Sequence, residues 1–212
     1  MDDILTVWRY RVIEPLTKVI NPTRLRAYNT HMKTAVLVID VQQGLCDDAS
    51  EGEGAAHDCA GVIRRINRVT AKARAAQAPV IFIQHESTAG YLAYQSDDWQ
   101  LAHGLHSQPS DLKVRKTTPD SFLRTNLQAL LAEHGVQRAV VCGMHTEFCV
   151  DTTTRRALAL GYPVTLVADA HTSAGNTALT PQQVIAHHNA TLSNISSFGP
   201  VVTLALSGDI RF

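Results

Sequence analysis

Apolar residues recur along this chain in two alternating rhythms. Short unbroken runs rich in valine and isoleucine mark strands buried on both faces, and three- and four-residue spacing marks amphipathic helices. Thr34–Asp40 is the first such run. Val62, Ile66 and Val69 then recur among arginines and alanines, predicting a helix over 57–77, and Pro79 opens a second strand at Val80–Gln84. The alternation continues through a short strand near 112–115, a helix near 121–134 carried by Phe122, Leu123, Leu127, Leu130 and Leu131, and a strand at Ala139–Cys142. A helix over 147–160 leads through Gly161, a natural C-terminal cap, into a strand at Val164–Ala168. Thr180, Pro181 and Gln183 spell a capping box with proline at the first helical position, and Val201–Leu206 makes a last strand. Six strands alternating with helices predict a three-layer α/β domain with a mostly parallel sheet.

Two stretches stand outside this rhythm. The polar segment 85–111, with Gly90, Gly104 and Pro109, is too long for a plain connection and reads as a functional loop. Residues 1–31 carry early aspartates and two prolines, Pro15 and Pro22, and read as a loosely attached arm. A partner-binding arm and a natural start at Met32 are the alternatives. The regular domain is expected over 32–212.

Charge and composition narrow the function classes. The 212 residues carry 19 basic and 19 acidic side chains, a net charge of zero, which argues against nucleic-acid binding. The arm holds five of the basic and three of the acidic groups, leaving the domain slightly acidic. Apolar runs such as Thr34-Ala-Val-Leu-Val-Ile fall far short of the roughly 20 residues a membrane span requires, so no membrane partner is expected. Cys46, Cys59, Cys142 and Cys149 form no CxxC pair and follow no secretory signal. Free thiols in a cytoplasmic protein are the expectation.

In open parallel sheets the ligand site lies beyond the carboxyl ends of the strands. Those positions hold Asp40, then Gln84-His85-Glu86, then Arg115-Lys116, then Gly143 through Cys149, then Asp169. Thr146 is placed to cap the following helix, which would set Cys149 beside unpaired backbone N–H groups that favour a thiolate and receive an oxyanion. The plain alternative is a small buried side chain, the reading given to Cys142, Cys46 and Cys59. Asp40, ending an apolar strand, suits a general base, and Lys116 would keep it ionised. For both, a surface ion pair is the alternative.

Three segments carry a resemblance: Ala35-Val-Leu-Val-Ile-Asp40-Val-Gln-Gln-Gly, Arg115-Lys116-Thr-Thr-Pro-Asp-Ser-Phe122, and Val141-Cys-Gly-Met-His-Thr-Glu-Phe-Cys149-Val. In order, and followed by Leu160 through Ala170, they resemble the isochorismatase-like cysteine hydrolases over about residues 33–205. That resemblance implies a Rossmann-like α/β/α sandwich and a Cys149–Asp40–Lys116 triad cleaving a C–N bond of a small amide, ureide or lactam through a thioester. It implies a non-proline cis peptide at Met144–His145, aiming the His145 N–H at the substrate oxygen beside the Cys149 N–H. It also implies a small-molecule substrate and a homodimer or homotetramer.

Two departures refine the expectation. Metal-binding members carry Asp-x-His after the second strand, where this chain has Gln84-His85-Glu86, so no metal and no cofactor are expected. True isochorismatases lack the cysteine that this chain retains. A metal-dependent hydrolase using His85, His103 and His106, a catalytically silent metabolite-binding member, and a papain-style pairing of His145 with Cys149 are the rival readings. Candidate substrate contacts are Gln43, Gln84, Glu86, Tyr91, Trp99, Phe122 and Glu147; the two glutamates would suit a cationic substrate. His187, His188 and Asn189 read as structural.

Overall fold

The structure is a computed structural model that describes residues 32–47 and 55–212. The arm expected over 1–31 lies outside these residues. The strands are β1 (Thr34–Ile39), β2 (Val80–His85), β3 (Leu112–Lys116), β4 (Arg138–Met144), β5 (Val164–Thr172) and β6 (Val202–Ala205). They form one sheet in the order β3-β2-β1-β4-β5-β6, with every pairing parallel. The helices are α1 (Gln43–Cys46), α2 (Cys59–Ala75), α3 (Leu127–Glu133), α4 (Asp151–Ala159) and α5 (Pro181–Ser193). Among the described residues no helix is long and apolar enough to cross a membrane.

β1 is buried at all six positions because it lies at the centre of the sheet with helices on both faces. Its alternate side chains divide between two cores. Ala35, Leu37 and Ile39 pack with Leu127 and Leu131 of α3, Leu158 of α4 and Leu192 of α5. Val36 and Val38 pack with Val62, Ile66 and Val69 of α2. The three layers follow from this division.

Several boundaries differ from the sequence reading for local reasons. The helix expected from 121 begins only at Leu127; ahead of it the Ser121 carbonyl accepts from the Thr125 hydroxyl, and the Asp120 carboxylate accepts from Phe122 N. β5 runs past Ala168 to Thr172, where polar residues pair with the end of β4 after a register shift between Val141 and Gly143. The capping box of α5 is present, with Thr180 accepting from Gln183 N and the Gln183 side chain accepting from Thr180 N. Gly161, at φ 91°, ends α4 as expected, its N–H bonding Leu158 O while Tyr162 N reaches Ala157 O.

The cysteines require a correction. Cys46 at the end of α1 and Cys59 at the start of α2 form a disulfide, with Cα atoms 5.7 Å apart. Ala56 N bonds Leu45 O ahead of α2, and the approach that pairs the two cysteines has no mark in their spacing. The bridge removes the thiol-based argument for a reducing compartment. Cys142 is fully buried in β4, as expected of a structural thiol.

Candidate active site

The chain builds β1, then β2 and β3 on one side, and returns to place β4 on the other side of β1. The carboxyl ends of β1 and β4 therefore bound the crevice where such sheets hold ligands. Asp40 leaves β1 in the left-handed conformation, φ 50°, while its own N–H stays in the sheet on Ile83 O at 2.8 Å. Lys116 ends β3, two strands from Asp40, a span of roughly 9–10 Å that calls for a long side chain. Its ammonium reaches Asp40 Oδ2 at 2.6 Å, with both side chains essentially without exposure.

The β4 end is shaped by Gly143. A Cβ there would lie 2.0 Å from Ile39 O, and φ is 124°, so the closeness of β4 to β1 requires glycine. The Met144–His145 peptide that follows is cis. Thr146–Val150 then forms a π-helical turn, with Phe148 N and Val150 N both bonding His145 O, and α4 starts at Asp151. Cys149 lies in this turn. The expectation that Thr146 caps an α-helix is corrected: His145 precedes the turn with no side-chain cap, and the Thr146 hydroxyl faces His171 Nδ1 at 2.8 Å.

Lys116 Nζ gathers the site. Besides Asp40 it lies 3.2 Å from Cys149 Sγ, 3.3 Å from His85 Nδ1 and 3.1 Å from Thr118 O. Donor atoms of Asp40, His85 and Cys149 all fall within 4.8 Å of one another, a set whose chemistry could suit a soft divalent ion. The lysine's own ammonium lies within hydrogen-bonding distance of all three, so the set already faces a cation. Asp40 Oδ1 is buried and has no hydrogen-bond partner.

Charges in this cluster are strongly coupled. Burial alone would lower the Lys116 pKa, but Asp40 and Cys149 outweigh it and hold the ammonium above its ordinary range. The Cys149 thiol is pushed up, first by burial and then by Asp40, with Lys116 opposing. Burial and Asp40 thus work against the thiolate expected at a helix start, and Lys116 works for it. Burial, then the Lys116 charge, lowers the His85 pKa, so its ring is neutral at neutral pH.

The remaining candidates scatter. Glu86 meets Arg115 at 3.3 Å, Arg115 lies over the Tyr94 ring at 4.1 Å, and Tyr94 packs edge-on against Trp99. Gln84 donates to Trp99 O, and Gln43 receives His103 N and donates to Asp47, so both amides brace the 85–111 loop. Tyr91 is exposed, its hydroxyl on Gly44 O. Phe122 belongs to the core and stacks on Tyr162. Glu147 receives the Ser173 hydroxyl at 2.6 Å, and its other oxygen is buried and unpartnered. A cavity of about 410 Å³ lined by Gln84, Trp99, His103 and Lys113 includes none of Asp40, Lys116 and Cys149.

Sequence reasoning missed two contributors. Gln42 clamps the β2 end, accepting from His85 N and donating to His85 O and Trp99 O. Nothing in Val41-Gln42-Gln43 separates this buried amide from the more accessible one beside it. His85, weighed as a metal ligand with His103 and His106, instead joins the Lys116 cluster. Strand register is the signal that finds it, since His85 pairs with Lys116.

Comparison with known proteins places the chain in a family. The isochorismatase domain model matches residues 34–205. Streptothricin hydrolase of Streptomyces noursei is 38% identical over 138 residues, which cover 65% of this chain and 49% of that protein. The chain thus spans about half the length of the streptothricin hydrolases it matches. Ureidoacrylate amidohydrolase of Methylobacterium radiotolerans is 29% identical over 198 residues, covering 78% of this chain and 74% of that one. A crystal structure of an isochorismatase family protein, 38% identical, superposes with a TM-score of 0.73 over 82% of this chain and 98% of that chain. With the six-stranded parallel sheet and a family match over nearly all of it, the chain belongs to the isochorismatase family.

Proposed function

We propose that the protein is a cysteine hydrolase that cleaves a C–N bond of a small amide, ureide or lactam. The observation that carries the reading is the meeting of Asp40, Lys116 and Cys149 around one buried ammonium. Asp40 Oδ1, the unpartnered oxygen, takes the thiol proton as Sγ attacks the carbonyl carbon. Lys116 donates to the other oxygen of Asp40 and balances the sulfur as charge develops. The backbone N–H groups of His145 and Cys149 receive the oxyanion. Asp40 then passes its proton to the leaving nitrogen as the C–N bond breaks, leaving a thioester. Next it takes a proton from water, whose oxygen attacks the thioester carbon and releases the acid, and the thiol regains that proton. The raised thiol pKa fits a base that acts only once the carbonyl is in place.

Streptothricin hydrolase and ureidoacrylate amidohydrolase support the choice of amide and ureide substrates. A panel of nicotinamide, carbamoylated amines, ureidoacrylate and cyclic amides, read by amine or ammonia release, tests it. Turnover lost in Cys149→Ala with the fold intact supports the reading; turnover retained overturns it. The raised pKa of this half-buried thiol favours a second reading, a member that binds a small metabolite without cleaving it. Binding of a panel compound with no turnover selects that reading. Activity surviving a chelator separates the cysteine hydrolase from a metal-dependent one.

A further inference from the structure

His171 is 1% exposed near the end of β5 and belongs to none of the contacts that gather Cys149. Its bonds have a fixed direction. Asn189 Nδ2 donates to Ala168 O at 3.1 Å, which fixes that amide and makes its Oδ1 the acceptor facing His171 Nε2 at 3.0 Å. The imidazole proton therefore resides on Nε2. Nδ1 is left as an acceptor, and the group facing it is the Thr146 hydroxyl at 2.8 Å. The chain of donors runs from Thr146 through His171 and Asn189 to the β5 backbone.

Thr146 is the first residue of the π-helical turn that ends at Val150, three residues before Cys149. The next residue is tied in the same way: Glu147 accepts from Ser173, two residues beyond His171 and so on the same side of the chain, and Ser173 accepts in turn from Gly175 N. Two adjacent turn residues are thus fastened to alternate residues at the end of β5. A π turn followed directly by α4 can relax to ordinary helical pairing, and side-chain anchors from outside the turn oppose this.

We propose that His171 is a positioning residue, holding the Cys149 turn in register with Lys116 and Asp40 through Thr146, with Asn189 setting its tautomer. The proposal rests on Cys149 being the reacting atom. The other ionisable groups facing His171 are His188 on α5 and Asp169 on β5. The relay needs a neutral imidazole, because a proton on Nδ1 would turn the acceptor into a donor facing a hydroxyl.

The test measures alkylation of Cys149 by iodoacetamide, assigned by peptide mass, across a pH series and well below each variant's melting temperature. In Thr146→Val the turn loses its anchor and the thiol its closeness to Lys116. The rate at fixed pH is expected to fall about tenfold, the size of one hydrogen bond to a buried group, and the pH midpoint to rise. Thr146→Ser restores both, and Asn189→Ala, changed at a partly exposed helix position, moves both in the same direction. A purely structural role would lower melting temperature and leave rate and midpoint as in the unsubstituted protein, and that result overturns the proposal. If Thr146→Val does not fold, Asn189→Ala decides by the same two readings. The amide panel is scored separately. Alkylation shifts in a protein that cleaves no amide keep the positioning role and remove the hydrolase reading; cleavage with unmoved alkylation does the reverse.

Discussion

Lys116 Nζ lies 2.6 Å from Asp40 Oδ2, and neither side chain has appreciable contact with solvent. Two charges so placed have given up their hydration, and their mutual attraction offsets that loss.

Removing one partner should therefore cost more than removing both. Asp40→Asn keeps the shape and tolerates the left-handed backbone, but strands the ammonium, and should lower stability by about 3–5 kcal/mol in denaturant titration. Asp40→Asn with Lys116→Met, which leaves no buried charge, should recover most of that loss. Turnover should be absent from both.

The thiol reports the same pair with opposite signs. Cys149 alkylation in the free protein should stay slow at neutral pH and climb only in the alkaline range, above the ordinary thiol value of about 8.5. Lys116→Met removes the group that lowers the pKa and should move the alkylation midpoint higher. Asp40→Asn removes one that raises it and should move the midpoint lower. Equal shifts in one direction would contradict this account of the cluster.

His171 links the fold to pH. Burial holds its folded pKa down at about 4, against 6.5 for the free side chain. Above 6.5 neither folded nor unfolded chain carries the proton, and the stability is fully present. Between 6.5 and 4 only the unfolded chain takes it up, so stability drains away over that window by about 3 kcal/mol. His171→Gln should flatten this part of a stability-against-pH curve from chemical denaturation.

Gly143→Ala should prevent normal assembly of the sheet. The added methyl would meet Ile39 O at 2.0 Å, a backbone atom with no freedom to yield, at a φ that disfavours any side chain. A loss of more than about 3 kcal/mol is expected, seen as a lowered denaturation midpoint or insoluble protein.

Much of the fold was legible because each signal was local. The apolar run of β1, the spacing of Val62, Ile66 and Val69, and the Thr180 capping box all appear where their residues place them. Boundaries were less legible where tertiary pairing overrides local preference. The polar end of β5 becomes strand only because β4 stands beside it. The start of α4 becomes a π turn, with Thr146 and Glu147 held by His171 of β5 and by Ser173 just past its end.

The sequence by itself determined the alternation of strands and helices, and the placing of Asp40, Lys116 and Cys149 after three different strands. Apolar runs and helical spacing are properties of short segments, and these are written in consecutive residues. Only the tertiary structure decided the direction in which the Cys149 pKa moves, the inclusion of His85, the withdrawal of Phe122 into the core and the pairing of Cys46 with Cys59. Each of these depends on how far a group is taken from water and which distant residue meets it there, and neither quantity is carried by neighbouring positions in the chain.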